Sequence, residues 1–182
     1  MRVGKHGLLI ALVSGAVLAL TGCDSSAEEA AAPATPSVAP EAPTGFDPCT
    51  DIPQEVLDSE GLEDSMPDES QASGMKWSGC GWVQLDGYTT SIRTTNITVD
   101  MVKDKGFPGT VEYTIGDRRA IVSQQGKTDI EESCNVNVEM VGGSLEFLLL
   151  NPASRSKTGN LDACELVRNL AQKVTPSIPE GV

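Results

Sequence analysis

Five cysteines, a single histidine and a surplus of carboxylates are the residues of this 182-residue chain from which chemistry could be built. The histidine is His6, inside an N-terminal hydrophobic leader. Once the leader is removed, no imidazole remains, which excludes Ser-His-Asp and Cys-His catalysis, histidine acid–base work and histidine metal sites. No phosphate loop and no Gly-x-Gly-x-x-Gly before a helix is present; Gly106 and Gly142-Gly143 read as turns. Glu131 and Glu132 are adjacent. Neighbours on an extended chain point apart, so they make a poor glycosidase pair. The acidic stretch Asp58, Glu60, Glu63, Asp64, Asp68 and Glu69 lacks the spacing of an EF-hand loop and reads as a solvated loop. Arg118-Arg119, beside a turn, reads as a charged hairpin end. Trp77 and Trp82 flank Cys80 and are expected to pack over a disulfide rather than form a sugar platform. These residues give no catalytic group, no metal site and no cofactor, and leave the ligand-binding residues unassigned.

One cysteine stands apart. Arg2 and Lys5 make a short positive start, and Leu8 to Leu20 is an uncharged apolar run ending in Leu20-Thr21-Gly22-Cys23. The run is shorter than the roughly 20 residues of a membrane-spanning helix but fits a signal-peptide core. Leu-Thr-Gly-Cys resembles the bacterial lipobox. Cleavage is expected between Gly22 and Cys23, with a diacylglycerol on the Cys23 sulfur. Two or more buried acyl chains give stable attachment, at about 0.8 kcal/mol per methylene. The expected address is therefore the extracytoplasmic side of a cell membrane. Asp24 resembles the retention signal that keeps lipoproteins at the inner membrane in two-membrane bacteria.

Loss of residues 1–22 removes Arg2 and Lys5 from 13 basic residues against 26 acidic ones, for a mature net charge of −15. Such a charge opposes nucleic-acid binding and electrostatic adhesion to anionic lipid; it favours solubility or a cationic partner. Residues 24–45 are rich in Ala, Pro, Ser, Thr and Glu and have no aromatic. They read as a semi-extended tether. Residues 46–175 are the size of one domain, and Pro176 to Val182 reads as a frayed tail.

Cys49, Cys80, Cys134 and Cys164 form an even set in an exported domain, which implies two disulfides. Cys-x-x-Cys redox pairs and closely spaced zinc ligands are absent. Three pairings are possible. Sequential pairing, Cys49–Cys80 and Cys134–Cys164, is favoured; each loop of about 30 residues is worth roughly 3–4 kcal/mol in the chain-entropy model.

The elements that would position these residues follow from periodicity. A short helix capped by Thr50 or Asp51, with Pro53 near its start, runs to about Ser59. Met75–Leu85 is a strand, with a bulge at Gly79 or Gly81, and Asp86-Gly87 turns it into Tyr88–Thr95, with Tyr88, Thr90, Ile92 and Thr94 on one face. Thr98 caps a helix through Lys105. Strands are then expected at Val111–Ile115 and Arg118–Ser123. Another follows with Cys134, Val136, Val138 and Met140 on one face, and a last with Leu145, Phe147 and Leu149. Glu146 is the only charge in that last strand, so its second face is expected to be covered. Asn160 caps a final helix whose buried stripe is Leu161, Cys164, Val167, Leu170 and Val174. The fold class is α+β: an antiparallel sheet of about five to six strands with packed helices and two disulfides.

Phe46-Asp47-Pro48-Cys49 with Ile52-Pro53 and Val56-Leu57, then Trp77-Ser78-Gly79-Cys80-Gly81-Trp82, precede the Cys134 strand and the Cys164 helix. Over roughly residues 46–174 this pattern resembles actinobacterial lipoproteins grouped as domain of unknown function 3558. The resemblance implies export, lipid anchoring and disulfides but supplies no catalytic residues. A sandwich like that of the photosystem-associated PsbP domain is a fold-level analogy for such lipoproteins.

The functional expectation is a non-catalytic envelope module whose partners are the membrane, through the anchor, and an envelope protein or cell-wall component. The alternative is a lipid or small-ligand carrier with an apolar cavity between the Leu145–Leu150 strand and the last helix. A carboxylate-only hydrolase ranks third.

Overall fold

A computed structural model describes residues 38–125 and 132–182. The lipobox with Gly22 and Cys23, Asp24, most of the tether, and Glu131 lie outside the described residues.

The chain begins with two short helices, α1 (Pro48–Asp51) and α2 (Gln54–Glu60). The helix expected to run to about Ser59 is α2, and the residues before Pro53 form the separate turn α1. Pro53 disfavours helical backbone at Ile52, which is extended with ψ 122°. Asp47 caps α1 by accepting from Cys49 N at 2.9 Å, and the cap position of α2 is Pro53 rather than Thr50 or Asp51.

Strands β1 (Leu62–Ala72), β2 (Met75–Gln84) and β3 (Thr89–Thr95) follow. Then come α3 (Val99–Lys105), β4 (Val111–Ile115), β5 (Arg118–Ser123), β6 (Ser133–Met140), β7 (Gly143–Leu150) and α4 (Ala163–Val174). All strand pairs are antiparallel, in one seven-stranded sheet of order β1-β2-β3-β7-β6-β5-β4. The fold is α+β. The strand beyond the expected five to six is β1, which occupies the acidic stretch expected to be a loop: Glu63, Asp64, Asp68 and Glu69 lie in it. Hydrophobic alternation is missing there because β1 is an edge strand, satisfied along one side by β2 and solvated otherwise. Its charges and Pro67 protect the open edge from pairing with another chain.

Alternation assigns the faces. Cys80, Trp82, Ile92, Val136, Val138, Leu145, Phe147 and Leu149 lie on one face with Ala120 and Val122. That face is covered by α4 through Val167, Leu170, Ala171 and Val174, by Leu57 of α2 and by Ile52 between the first two helices. Ile121 points the other way and packs against Val99 and Val102 of α3. The sheet is therefore sandwiched, but α3 touches only β5 and β6 on its side to any extent.

Both sequentially paired disulfides form, Cys49–Cys80 with Cα atoms 5.3 Å apart and Cys134–Cys164 at 5.1 Å. The first ties α1 to β2 and the second ties β6 to α4. The α4 cap is Asp162 rather than Asn160: its carboxylate accepts from Glu165 N at 2.8 Å. Leu161 falls outside the helix and is exposed, and Cys164 is half-buried.

Two segments expected to be loose are held. Asn96, fully buried, donates from Nδ2 to Ala39 O at 2.7 Å and Gly74 O at 2.9 Å, and Glu41 pairs with Lys76 at 2.5 Å. The domain's contacts thus begin before residue 46. At the other end Ile178 is buried and Val182 packs on the core. Composition hid both, because their contacts are made with backbone oxygens and isolated apolar residues.

Candidate functional site

Among the described residues, the face that carries α3 is only half covered. Sheet register places rows of side chains across it. One row is Asp68, Gly79, Arg93 and Glu146, on β1, β2, β3 and β7. The next row, toward the β2–β3 turn, is Met66, Gly81, Ser91 and Leu148, and beyond it lie Val83, Thr89 and Leu150.

The first row is a charged cluster. Arg93 donates to Glu146 Oε1 at 2.5 Å and to Asp68 Oδ1 at 3.2 Å. Trp77 donates from Nε1 to Glu146 Oε2 at 3.2 Å, and the guanidinium lies 5.8 Å from the Trp77 ring centroid. Side-chain exposure is 5% for Glu146, 13% for Arg93 and 30% for Asp68. Arg93 Nε is buried without a partner. The second face of β7, expected to be covered, is covered only in part: Glu146 is enclosed by a cross-strand ion pair, whereas Leu150 on the same side is exposed.

Beside this row the sheet carries a hollow of about 400 Å³. Its lining includes Met66, Gly81, Val83, Ser91, Leu148 and Leu150, with Asp68 at the charged end. Met66 is 62% and Leu150 41% exposed. Two other hollows, of about 880 Å³ and 770 Å³, lie under the C-terminal segment and along residues 41–49. The space between β7 and α4 is not a cavity: Leu145, Phe147, Leu149, Val167, Leu170 and Val174 are completely buried against each other. The carrier cavity expected there is filled by core.

The residues singled out from the sequence are mostly absorbed by the fold. Trp82 is buried beside the Cys49–Cys80 bridge, whereas Trp77 is half-buried on the opposite face. The two do not pack over the sulfurs together, because five positions along a strand reverse the side. The bulge expected at Gly79 or Gly81 is not on β2: it lies on β1 between Glu63 and Met66, opposite Trp82, where Asp64 has φ 54°. Arg118 donates to the main-chain oxygens of Pro179 and Val182 at 2.6 and 2.7 Å, fixing the end of the chain. Arg119 bridges Asp100, Glu112 and Glu139. Its hydrogen bond holds the Asp100 carboxyl below its ordinary range, and those of Lys103 and Arg119 do so for Glu112. Glu132 accepts from Ala153 N at 3.0 Å. Among the described residues no cluster of His, Cys, Asp or Glu could hold a metal ion. The acidic stretch is strung along α2 and an edge strand rather than gathered. Sequence reasoning missed Arg93 altogether, and took Glu146 and Gly81 only as marks of a covered face and a bulge. Sequence held a trace of the first two: each is the only charge of its strand, which suggests that they face each other.

A family model covers residues 18–177, nearly the whole chain and both disulfides. The chain belongs to the family of proteins of unknown function DUF3558. No curated protein and no solved structure matches it. Within this DUF3558 domain, the Cys-x-Trp segment serves the fold through Cys80 and Trp82 and the half-open face through Trp77 and Gly81. No helix among the described residues is long and apolar enough to cross a membrane.

Proposed function

We propose that this DUF3558 chain is a lipid-anchored, extracytoplasmic binding module of the cell envelope that does no chemistry of its own. The half-open face carries the proposal. There a tryptophan, an arginine and two carboxylates stand beside an apolar hollow that no helix among the described residues covers. The chemistry of the cluster supports binding over hydrolysis. A carboxylate-only glycosidase needs room for a sugar between its two acids, and the Arg93 guanidinium stands between Asp68 and Glu146. Support for the anchor comes from the Leu20-Thr21-Gly22-Cys23 motif, and for absent histidine chemistry from the loss of His6 with the leader.

Site-directed photocrosslinking of the full chain in intact cells tests this. A crosslinker at Ser91 should give a reproducible adduct with an envelope component, and one at exposed Glu165 on the opposite side should not. Equal adducts from both positions, or none from Ser91, would remove the binding face. Cys23→Ala should release the protein from the membrane fraction and lower its mass by the acyl groups; unchanged retention and mass would remove the anchor.

A further inference from the structure

Gly79 and Gly81 stand on the same side of β2, yet they are glycine for different reasons. A Cβ at Gly79 would lie 2.2 Å from Ile92 O and 2.7 Å from Arg93 Cα, so the approach of β3 demands glycine. A Cβ at Gly81 would meet Ser91 Oγ at 3.5 Å and Thr90 O at 3.6 Å, which is ordinary contact. Gly81 is not among the residues of positive φ, and it pairs in register with Met66 and Ser91. Glycine inside a strand costs roughly 0.5–1 kcal/mol relative to alanine. Where no bulge or clash at the residue explains it, strand glycine marks close approach by something else. What lies over Gly81 is the hollow of about 400 Å³, within the roughly 300–1,000 Å³ of small-molecule sites.

We infer that this hollow binds a small cationic amphiphile. Its apolar body lies over Gly81 and Leu148 between Met66, Val83 and Leu150, and its ammonium head meets Asp68. This rests on the proposed binding role of the face and names its ligand class. The three exposures of the charged row choose the head group. Glu146 and Arg93 are enclosed, so the charge within reach of a ligand is the Asp68 carboxylate. Two carboxylates around one guanidinium leave the row at net −1, which attracts an ammonium and repels a carboxylate. The mature chain's charge of −15, from 11 basic and 26 acidic residues, acts in the same direction at long range.

The test is an NMR titration of the full exported chain carrying Cys23→Ala, so that no acyl anchor competes for the probe. Decylammonium is the probe, with decanol and decanoate as controls. Saturable shifts are expected at the amides of Gly81, Ser91 and Leu148, with affinity falling from ammonium to alcohol to carboxylate. Asp68→Asn should weaken the ammonium about fivefold, the scale of a partly exposed ion pair, and leave decanol unchanged. Gly81→Val should abolish binding by filling the hollow. Gly81→Ala, whose added carbon makes only ordinary contacts, should keep the fold and weaken binding severalfold. No saturation at these amides, decanoate binding as tightly as decylammonium, or wild-type affinity in Gly81→Ala would overturn the inference. If such a result accompanied a Ser91-specific adduct from cells, the ligand class would fall and the binding face would stand.

Discussion

The two faces of the sheet carry alternate residues of the same strands and are built in opposite ways. On the face under α4, β7 contributes Leu145, Phe147 and Leu149, all fully buried, and a disulfide closes the layer. On the other face the same strand contributes Ser144, Glu146, Leu148 and Leu150; it is polar, ion-paired, and open over its half toward β1. Burial of apolar area stabilises the first face at about 25 cal/mol per Å². Little such burial is available on the second, so its cluster is not explained by stability alone. A buried ion pair is weak evidence for stabilisation, since desolvation offsets much of the attraction. The difference separates residues that hold the fold from residues free to serve a ligand.

The sharpest way to break this comparison is truncation of neighbours. Phe147→Ala should lower unfolding free energy by about 3–5 kcal/mol, whereas Leu148→Ala, half-buried on the open side, should cost under about 1 kcal/mol. Equal losses in urea melts would mean that the second face is also core. Arg93→Ala should cost about 3 kcal/mol by leaving Glu146 enclosed without its counter-charge. Arg93→Ala combined with Glu146→Gln should recover part of that loss; a double variant no more stable than the single would show that the ion pair is not the cause. The two glycines sharpen the comparison further. Gly79→Ala should destabilise by more than about 2 kcal/mol through its clash with β3, while Gly81→Ala should be neutral or stabilise by about 0.5 kcal/mol, read as midpoint shifts.

A further small effect belongs to the closed face. The Tyr113 hydroxyl is buried without a partner, and burial pushes it up to about 12 against the pull of Arg168. The folded chain then holds this proton more tightly than the unfolded one, whose tyrosine titrates near about 10. The associated stability is complete below about pH 10 and is lost as pH rises through about 12. Tyr113→Phe should be neutral or stabilise by about 1 kcal/mol at pH 7. It should also make melting temperature fall less between pH 9 and 11. Burial and the bond to Glu60 raise Tyr88 as well, so part of the alkaline loss should persist. An unchanged pH profile would assign the alkaline loss elsewhere.

The DUF3558 sequence carried the disulfide pairing, the β2–β3 and β6–β7 hairpins, the α3 cap at Thr98 and the alternating face of β6. Each depends on residues close in sequence or on a strong apolar period, and such signals survive without tertiary context. Strand β1 left no such signal, because an edge strand needs no hydrophobic period when its neighbour supplies the hydrogen bonds. The separation of Trp77 from Trp82 was in principle legible from strand parity. The site was not: Asp68, Arg93 and Glu146 meet only because strand order places β7 beside β3, a contact across 53 residues of chain. Likewise a glycine's identity does not tell whether its missing side chain makes room for backbone, as at Gly79, or leaves a hollow, as at Gly81. The sequence alone determined the staples and the alternation of core and surface, since these follow from residue type and spacing. Which half of a face stays open was decided only in three dimensions, because one helix of seven residues can cover only part of a seven-stranded sheet.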